Sequence, residues 1–212
     1  MKTKKHLNYL LAMFMLCMLS VCSSALQPTI CLPNNCDIWG ILTVGTKRMN
    51  NEIPEIAHNK NQWLFGQLDI AYPAKESLLG REIYKKQLSQ RTYQLLPQHQ
   101  TPTEIDELHK VDFHKLTVLF SLNQASAYSD KADRANIVEF LSQIMLSDEH
   151  ELYVGTQKGD VVASAIVTEK DDELLISDVV NKDDQNVIGF AKQLHDFWVE
   201  GQDSSRKVWL EN

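Results

Sequence analysis

The stretch "ELYVGTQKGDVVASAIVTEKDDELLISDVV", residues 151–180, contains three runs of strand-forming residues separated by two short polar breaks. "ELYVGT" reads as a short strand. "QKGD" turns on Gly159, "VVASAIVTEK" is rich in β-branched residues, "DDE" turns again, and "LLISDVV" closes the run. Strands that follow one another through tight turns pair antiparallel, so the stretch predicts a three-strand meander. Upstream, "DFHKLTVLFSLNQASAY" (112–128) predicts a helix with Phe113, Leu116, Leu119 and Phe120 inward. "SDKADR" is a turn, and "ANIVEFLSQIML" (135–146) predicts a second helix on Ile137, Leu141 and Ile144. Downstream, "NVIGFAKQLHDFW" (186–198) carries Val187, Ala191, Leu194 and Trp198 as one apolar stripe. "KVWLEN" begins a final strand, which after a helical crossover can lie parallel to its neighbour. The expected class is α+β: an antiparallel meander with flanking helices.

Residues 49–110 read differently. "NNEIPEIAHNKNQWLFGQLDIAYP" predicts a loop and a short helix, and Pro73 suits the first turn of the next one. "AKESLLGREIYKKQLSQRTYQLL" is expected helical to about Arg91, and "PQHQTPTE" breaks it. Thr103 is placed to cap "EIDELHKV" as a further helix, with Asp106 three residues on. Residues 49–110 are therefore expected as a mainly helical amino-terminal extension of the 111–212 domain.

Of the 212 residues, the first 48 hold five basic residues and one acidic residue. The remaining 164 hold 16 basic and 27 acidic residues, a balance of −11, which excludes nucleic-acid binding through a broad basic face. "MKTKKHLNYLLAMFMLCMLSVCSSALQ" has the grammar of a secretory signal: a lysine-rich start, an apolar run from Leu10 to Val21, and small residues before a cleavage point after Ala25. Two readings stay open. Residues 1–25 are a signal peptide or uncleaved anchor, with 26–48 a linker, and the protein is exported or membrane-anchored. Alternatively, translation starts at Met49, residues 1–48 are an upstream extension, and the protein is cytoplasmic. All four cysteines (Cys17, Cys22, Cys31, Cys36) precede Met49, so the body needs no disulfide. Cys31 and Cys36 can pair if exported. No metal site is expected, because no Cys or His pair follows at ligand spacing and His109 and His114 are five apart.

Gly189 stands in the first turn of the 186–198 helix, where glycine is about 1 kcal/mol worse than alanine. Either a ligand phosphate must approach the backbone at that helix start, or this is an ordinary helix start that tolerates a glycine. In order and spacing, the meander, the turn-plus-strand "KGDVVASAIV", the loop-to-helix unit with Asn186, Gly189 and Ala191, and "KVWLEN" resemble the GNAT acetyltransferase superfamily. The resemblance implies an acetyl-CoA site. Unpaired amides at the helix start would take the pyrophosphate, from Gln185, Asn186, Val187, Ile188, Gly189 and Ala191. The backbone of Val179 and Val180, on a strand splayed from the last one, would pair with the pantetheine arm. Asp183 and Asp184 stand where the family usually offers basic side chains, and Asn186 where it offers Gln or Arg. The family's next helix and last strands do not follow before Asn212, so the site is expected to be open and half built unless residues 49–110 or a second copy of the chain replaces them.

Among individual residues, Asp178 is the candidate base toward an amine acceptor, set mid-strand between apolar neighbours. Glu173 reads as solvated turn charge, His150 as a surface histidine, and His195 as facing solvent or a polar contact. Ser164 and Ser177 lack any supporting triad pattern. Trp63, Trp198 and Trp209 read as core anchors. Two functions follow. One is acetyl-CoA-dependent N-acetyl transfer to a small-molecule or protein amine. The other is a non-catalytic binding or assembly module on a degenerate acetyltransferase scaffold. A secreted structural protein is the third and weakest reading.

Overall fold

A computed structural model describes residues 53–101, 103, 105–182, 186–200 and 206–212. The readings of residues 1–48, of the Met49 start, of Asp183 and Asp184 and of Gln185 lie outside the described residues. Five helices and six strands follow in chain order: α1 Glu55–Gly66, α2 Lys75–Leu88, β1 Tyr93–Leu95, β2 Glu107–Lys110, α3 His114–Ala125, α4 Lys131–Leu141, β3 His150–Gln157, β4 Asp160–Lys170, β5 Glu173–Asn181, α5 Val187–Trp198 and β6 Lys207–Glu211. No helix among the described residues is long and apolar enough to cross a membrane.

The strands form one sheet in the order β1-β6-β5-β4-β3-β2. β3, β4 and β5 make the expected antiparallel meander. Lys158 and Gly159 close its first hairpin with φ of 52° and 86°, the left-handed pair of a type I′ turn. The α5 crossover returns β6 parallel to β5, from Glu173↔Lys207 to Ile176↔Leu210. This is the element order that the GNAT resemblance implies.

Side chains alternate across the sheet, so each strand serves two cores. Leu152, Val154 and Ile166 face the α1–α4 side, where Leu64, Tyr84, Phe120, Ile137 and Phe140 pack with them. Tyr153, Ala165, Val167, Leu174 and Ile176 face α5 and its Phe190, Ala191, Leu194 and Trp198. Asp130 caps α4 by accepting from the amides of Ala132 (2.8 Å) and Asp133 (2.9 Å).

Three expectations are corrected. "EIDELHKV" is not a helix: Glu107–Lys110 is an edge strand antiparallel to β3, and the chain before it is pinned to α5. Thr103 caps nothing there; its hydroxyl donates to Gln193 Oε1 at 2.8 Å, and Gln193 Nε2 donates to the Ile105 carbonyl at 3.0 Å. Tyr93–Leu95, beyond the helix end expected at about Arg91, is a strand paired with β6. The segment 93–110 therefore supplies both edge strands of the sheet. Phe113 precedes α3 and is half exposed rather than inward.

Helices α2 and α4 touch at Gly80. A Cβ built there would lie 2.1 Å from the Asn136 carbonyl oxygen and 2.7 Å from Phe140 Cβ. Backbone cannot yield as a flexible side chain does, so Gly80→Ala is expected to destabilise the protein by about 1–3 kcal/mol. At Gly66 the added Cβ would meet only Asp69 Oδ2 at 3.8 Å, so when both variants are unfolded in urea Gly66→Ala should show no such loss.

Candidate functional site

β5–β6 pairing ends at Ile176↔Leu210, one residue before β6 itself ends at Glu211. Beyond that point β5 continues through a bulge. β4–β5 pairing steps from Ile166↔Ser177 to Ser164↔Val180, so two residues of β5 oppose one of β4. Asp178, one of the two, takes the left-handed conformation with φ 53°, which Asp tolerates better than most residues. A bulge of this kind re-aims a side chain. Here it turns the Asp178 carboxylate toward α1 and α2.

The carboxylate enters a buried ionic cluster. Lys60 Nζ on α1, fully buried, donates to Asp178 Oδ2 at 2.9 Å and to the Tyr84 hydroxyl at 3.0 Å, and lies 3.2 Å from Glu211 Oε2. Tyr84 on α2 donates to Asp178 Oδ1 at 2.7 Å. Arg91 Nη1 donates to the same oxygen at 2.7 Å, contacts Glu211 Oε1, and its guanidinium lies 4.7 Å from the Tyr84 ring centre. Two cations meet two carboxylates, so the cluster is neutral, as burial at this depth demands. The Gln124 side-chain amide donates to the Asp178 carbonyl, and also to Ser164 Oγ at 3.0 Å.

Burial alone would raise the Asp178 pKa. The charges of Arg91 and Lys60, with hydrogen bonds from Lys60 and Tyr84, outweigh it and hold the carboxyl well below the usual range. Burial likewise works against a charged Lys60, but Asp178 and Glu211 keep it protonated. Burial and neighbouring Glu211 push Tyr93 up to about 12. A carboxylate held this low and paired this fully is a weak proton acceptor.

Beside the end of this pairing lies a cleft of about 320 Å³. Val179, Val180, Val187, Ala127 and Tyr128 line it, and so do Gln87, Gln124, Asn212 and the charged Arg91, Asp178 and Glu211. The other predicted backbone positions sit at the start of α5. Asn186 caps that helix by accepting from the Gly189 amide at 2.9 Å, and its own Nδ2 donates to the Thr101 carbonyl at 3.3 Å. A Cβ on Gly189 would meet Asn186 Nδ2 at 2.3 Å and Thr101 O at 2.6 Å. Gly189 is thus required by the chain's own Thr101 and Asn186, which occupy the close approach expected for a phosphate. Ile188 packs against the α5-side core and Ala191 is fully buried within it.

The remaining candidates are dispersed. His150 is buried, not on the surface: its ring stacks on Trp63 at 4.4 Å between centroids and bonds Thr168 at 3.1 Å. Glu173 pairs with Lys207 at 2.9 Å. His195 Nδ1 lies 3.5 Å from Asp196. Ser164 is buried and accepts from Asn123 at 2.7 Å, and buried Ser177 lies 3.5 Å from the Ile166 carbonyl. Sequence reasoning missed Lys60, Tyr84, Arg91 and Glu211. The one available signal was a lysine on a helix whose neighbours Ile56, Ala57 and Leu64 are apolar.

No protein-family model matches the chain, and no curated protein matches it. Two solved structures are similar in part. One is a GCN5-related N-acetyltransferase from Kribbella flavida, 14% identical with a TM-score of 0.36, aligned over 57% of this chain and 47% of that one. The other is a protein placed in the GNAT family from Novosphingobium aromaticivorans, 8% identical with a TM-score of 0.32, aligned over 57% and 51%. The match spans about half the length of each.

The cluster makes stability pH-dependent. The folded pKa of Asp178 lies below its unfolded value of about 4. Its contribution is therefore full above about pH 5 and is lost as pH falls below about 4. Asp178→Asn should cost about 3–5 kcal/mol at pH 7, because Lys60 and Arg91 lose a buried partner. It should also flatten the fall of the urea midpoint between about pH 5 and 3. An unchanged acid slope would contradict the assignment.

Proposed function

We propose that this chain is a non-catalytic binding module built on an acetyltransferase-like scaffold. One observation carries the reading. The helix start that would cradle a pyrophosphate is filled by the chain itself, with the Gly189 amide bonded to Asn186 and the Thr101 carbonyl seated against the Gly189 Cα. An anion there would have to displace a helix cap, worth about 1 kcal/mol, and move the 97–101 segment. The Asp178 ion cluster points the same way, since it leaves the candidate base fully engaged.

A second reading keeps one observation in its favour. A cleft lies beside Val179, Val180 and Val187, where the resemblance puts the pantetheine arm of acetyl-CoA. On that reading the chain acetylates a small-molecule or protein amine.

Thermal unfolding of the full chain with acetyl-CoA separates the two. A cofactor at 100 times its dissociation constant adds about 2.7 kcal/mol of stability. The binding-module reading expects no shift at millimolar acetyl-CoA and no acetylation of added amines. A saturable shift together with acetylated product would replace it by the transferase reading.

A further inference from the structure

The first residue of β3 is a histidine where a charge is hard to keep. His150 is 7% exposed, and its ring stacks on Trp63 of α1 with 4.4 Å between centroids and 27° between planes. Its Nδ1 is hydrogen-bonded to Thr168 Oγ1 of β4 at 3.1 Å. The neutral ring suits this setting, with one face against an indole and one nitrogen satisfied by a hydroxyl. The Asp178 cluster does not include it.

A protonated ring there would act against its surroundings. Burial is the largest influence on His150 and lowers its pKa. Glu149, its neighbour in the chain, is exposed and attracts a cation, which offsets part of that effect. Lys60, three residues before Trp63 on α1, is fully buried, stays protonated and repels it. The Trp63 face also attracts a cation, but it brings no counter-charge and it keeps water from the ring. Thr168, the contact from β4, is uncharged. The balance holds the His150 pKa below the usual histidine value.

The element this contact helps to hold is α1. Ile56 and Ala57 seat that helix against Leu175, Lys60 ties it to Asp178 and Glu211, Leu64 enters the core, and Trp63 rests on His150. We propose that the His150–Trp63 contact is an acid-sensitive latch on α1: a proton taken up by His150 loosens the helix from the sheet and draws Lys60 out of the ion cluster. The sign follows from linkage. Above about pH 7 the ring is neutral whether α1 is seated or released, so the latch is fully closed. Below the unfolded value of about 6.5 the released ring binds the proton more readily than the stacked one, and the seated form loses stability as pH falls toward the folded pKa. Asp178 acts lower, below about pH 4, so the two effects separate in a titration. The latch is independent of what the module binds.

The test is amide hydrogen exchange of the full chain between about pH 7 and 5.5, corrected for the intrinsic rate, with α4 as reference because it carries no histidine. Protection of α1 is expected to fall about fivefold over that range, and that of α4 less than about twofold. His150→Gln cannot take the proton, so its α1 protection should stay level. Burial lowers the pKa of His195 too, and it adds a slope of its own, but it stands on α5 across the sheet from α1, so His195→Gln should keep the α1 loss. If His150→Gln fails to fold, proton NMR of the parent carries the result: the His150 ring should protonate below about pH 6.5, with the same midpoint as the loss of α1 protection. Constant α1 protection, an equal fall in α4, the same fall in His150→Gln, or a His150 ring that protonates above about pH 6.5 would overturn the proposal.

Discussion

Two positive and two negative side chains buried together constrain everything around them. None of Lys60, Arg91, Asp178 or Glu211 can be withdrawn from water unless the other three are present. The four come from α1, the turn after α2, β5 and β6, so the elements must converge at one point. Lys60 reaches it only because Ile56, Ala57 and Leu64 seat α1 on the sheet. Asp178 reaches it only through the β5 bulge and a left-handed backbone angle, a strain on the order of 1–3 kcal/mol that the ion pairs offset. The amino-terminal helices are therefore not an appendage to the sheet. They supply the counter-charges that let β5 and β6 carry carboxylates inward.

The start of α5 shows how one local geometry serves two ends. A helix leaves its first amides without intrahelical partners, and any oxygen that reaches them is stabilised. A phosphate can do this, and so can a capping side chain. Here Asn186 takes the Gly189 amide, and the Thr101 carbonyl leans on the same glycine. The requirement for glycine is identical in both cases, because either oxygen needs the space where a Cβ would stand. Glycine at a helix start thus reports close approach without reporting what approaches.

That ambiguity explains what could be read in the sequence. The meander was legible because alternation in β3 and the β-branched run of β4 follow from burial on one or both faces, and because Lys158-Gly159 is turn chemistry. The α5 stripe was legible for the same reason at helical period. The strands Tyr93–Leu95 and Glu107–Lys110 were not. Each is three or four residues long, too short to show a period, and each is extended only because a neighbouring edge offers hydrogen bonds. The strand at 107–110 carries Glu, Leu, His and Lys, which suit an exposed edge as well as a helix surface. The ion cluster was invisible because its members are separated by up to 151 residues and each, alone, looks like an ordinary surface charge. Asp178 stood out because apolar residues flank it, yet flanking residues say that a carboxylate is buried and not what neutralises it.

The cleft itself has a structural cause that needs no ligand. β6 ends at Glu211, one residue after its last pairing with β5 at Ile176↔Leu210, while β5 runs on through the bulge to Asn181. Along its other edge β6 pairs with β1, from Tyr93↔Glu211 to Leu95↔Trp209. The space beside Val179 and Val180 is left where β5 continues past the end of its partner. An opening of this origin does not by itself argue for a bound thioester.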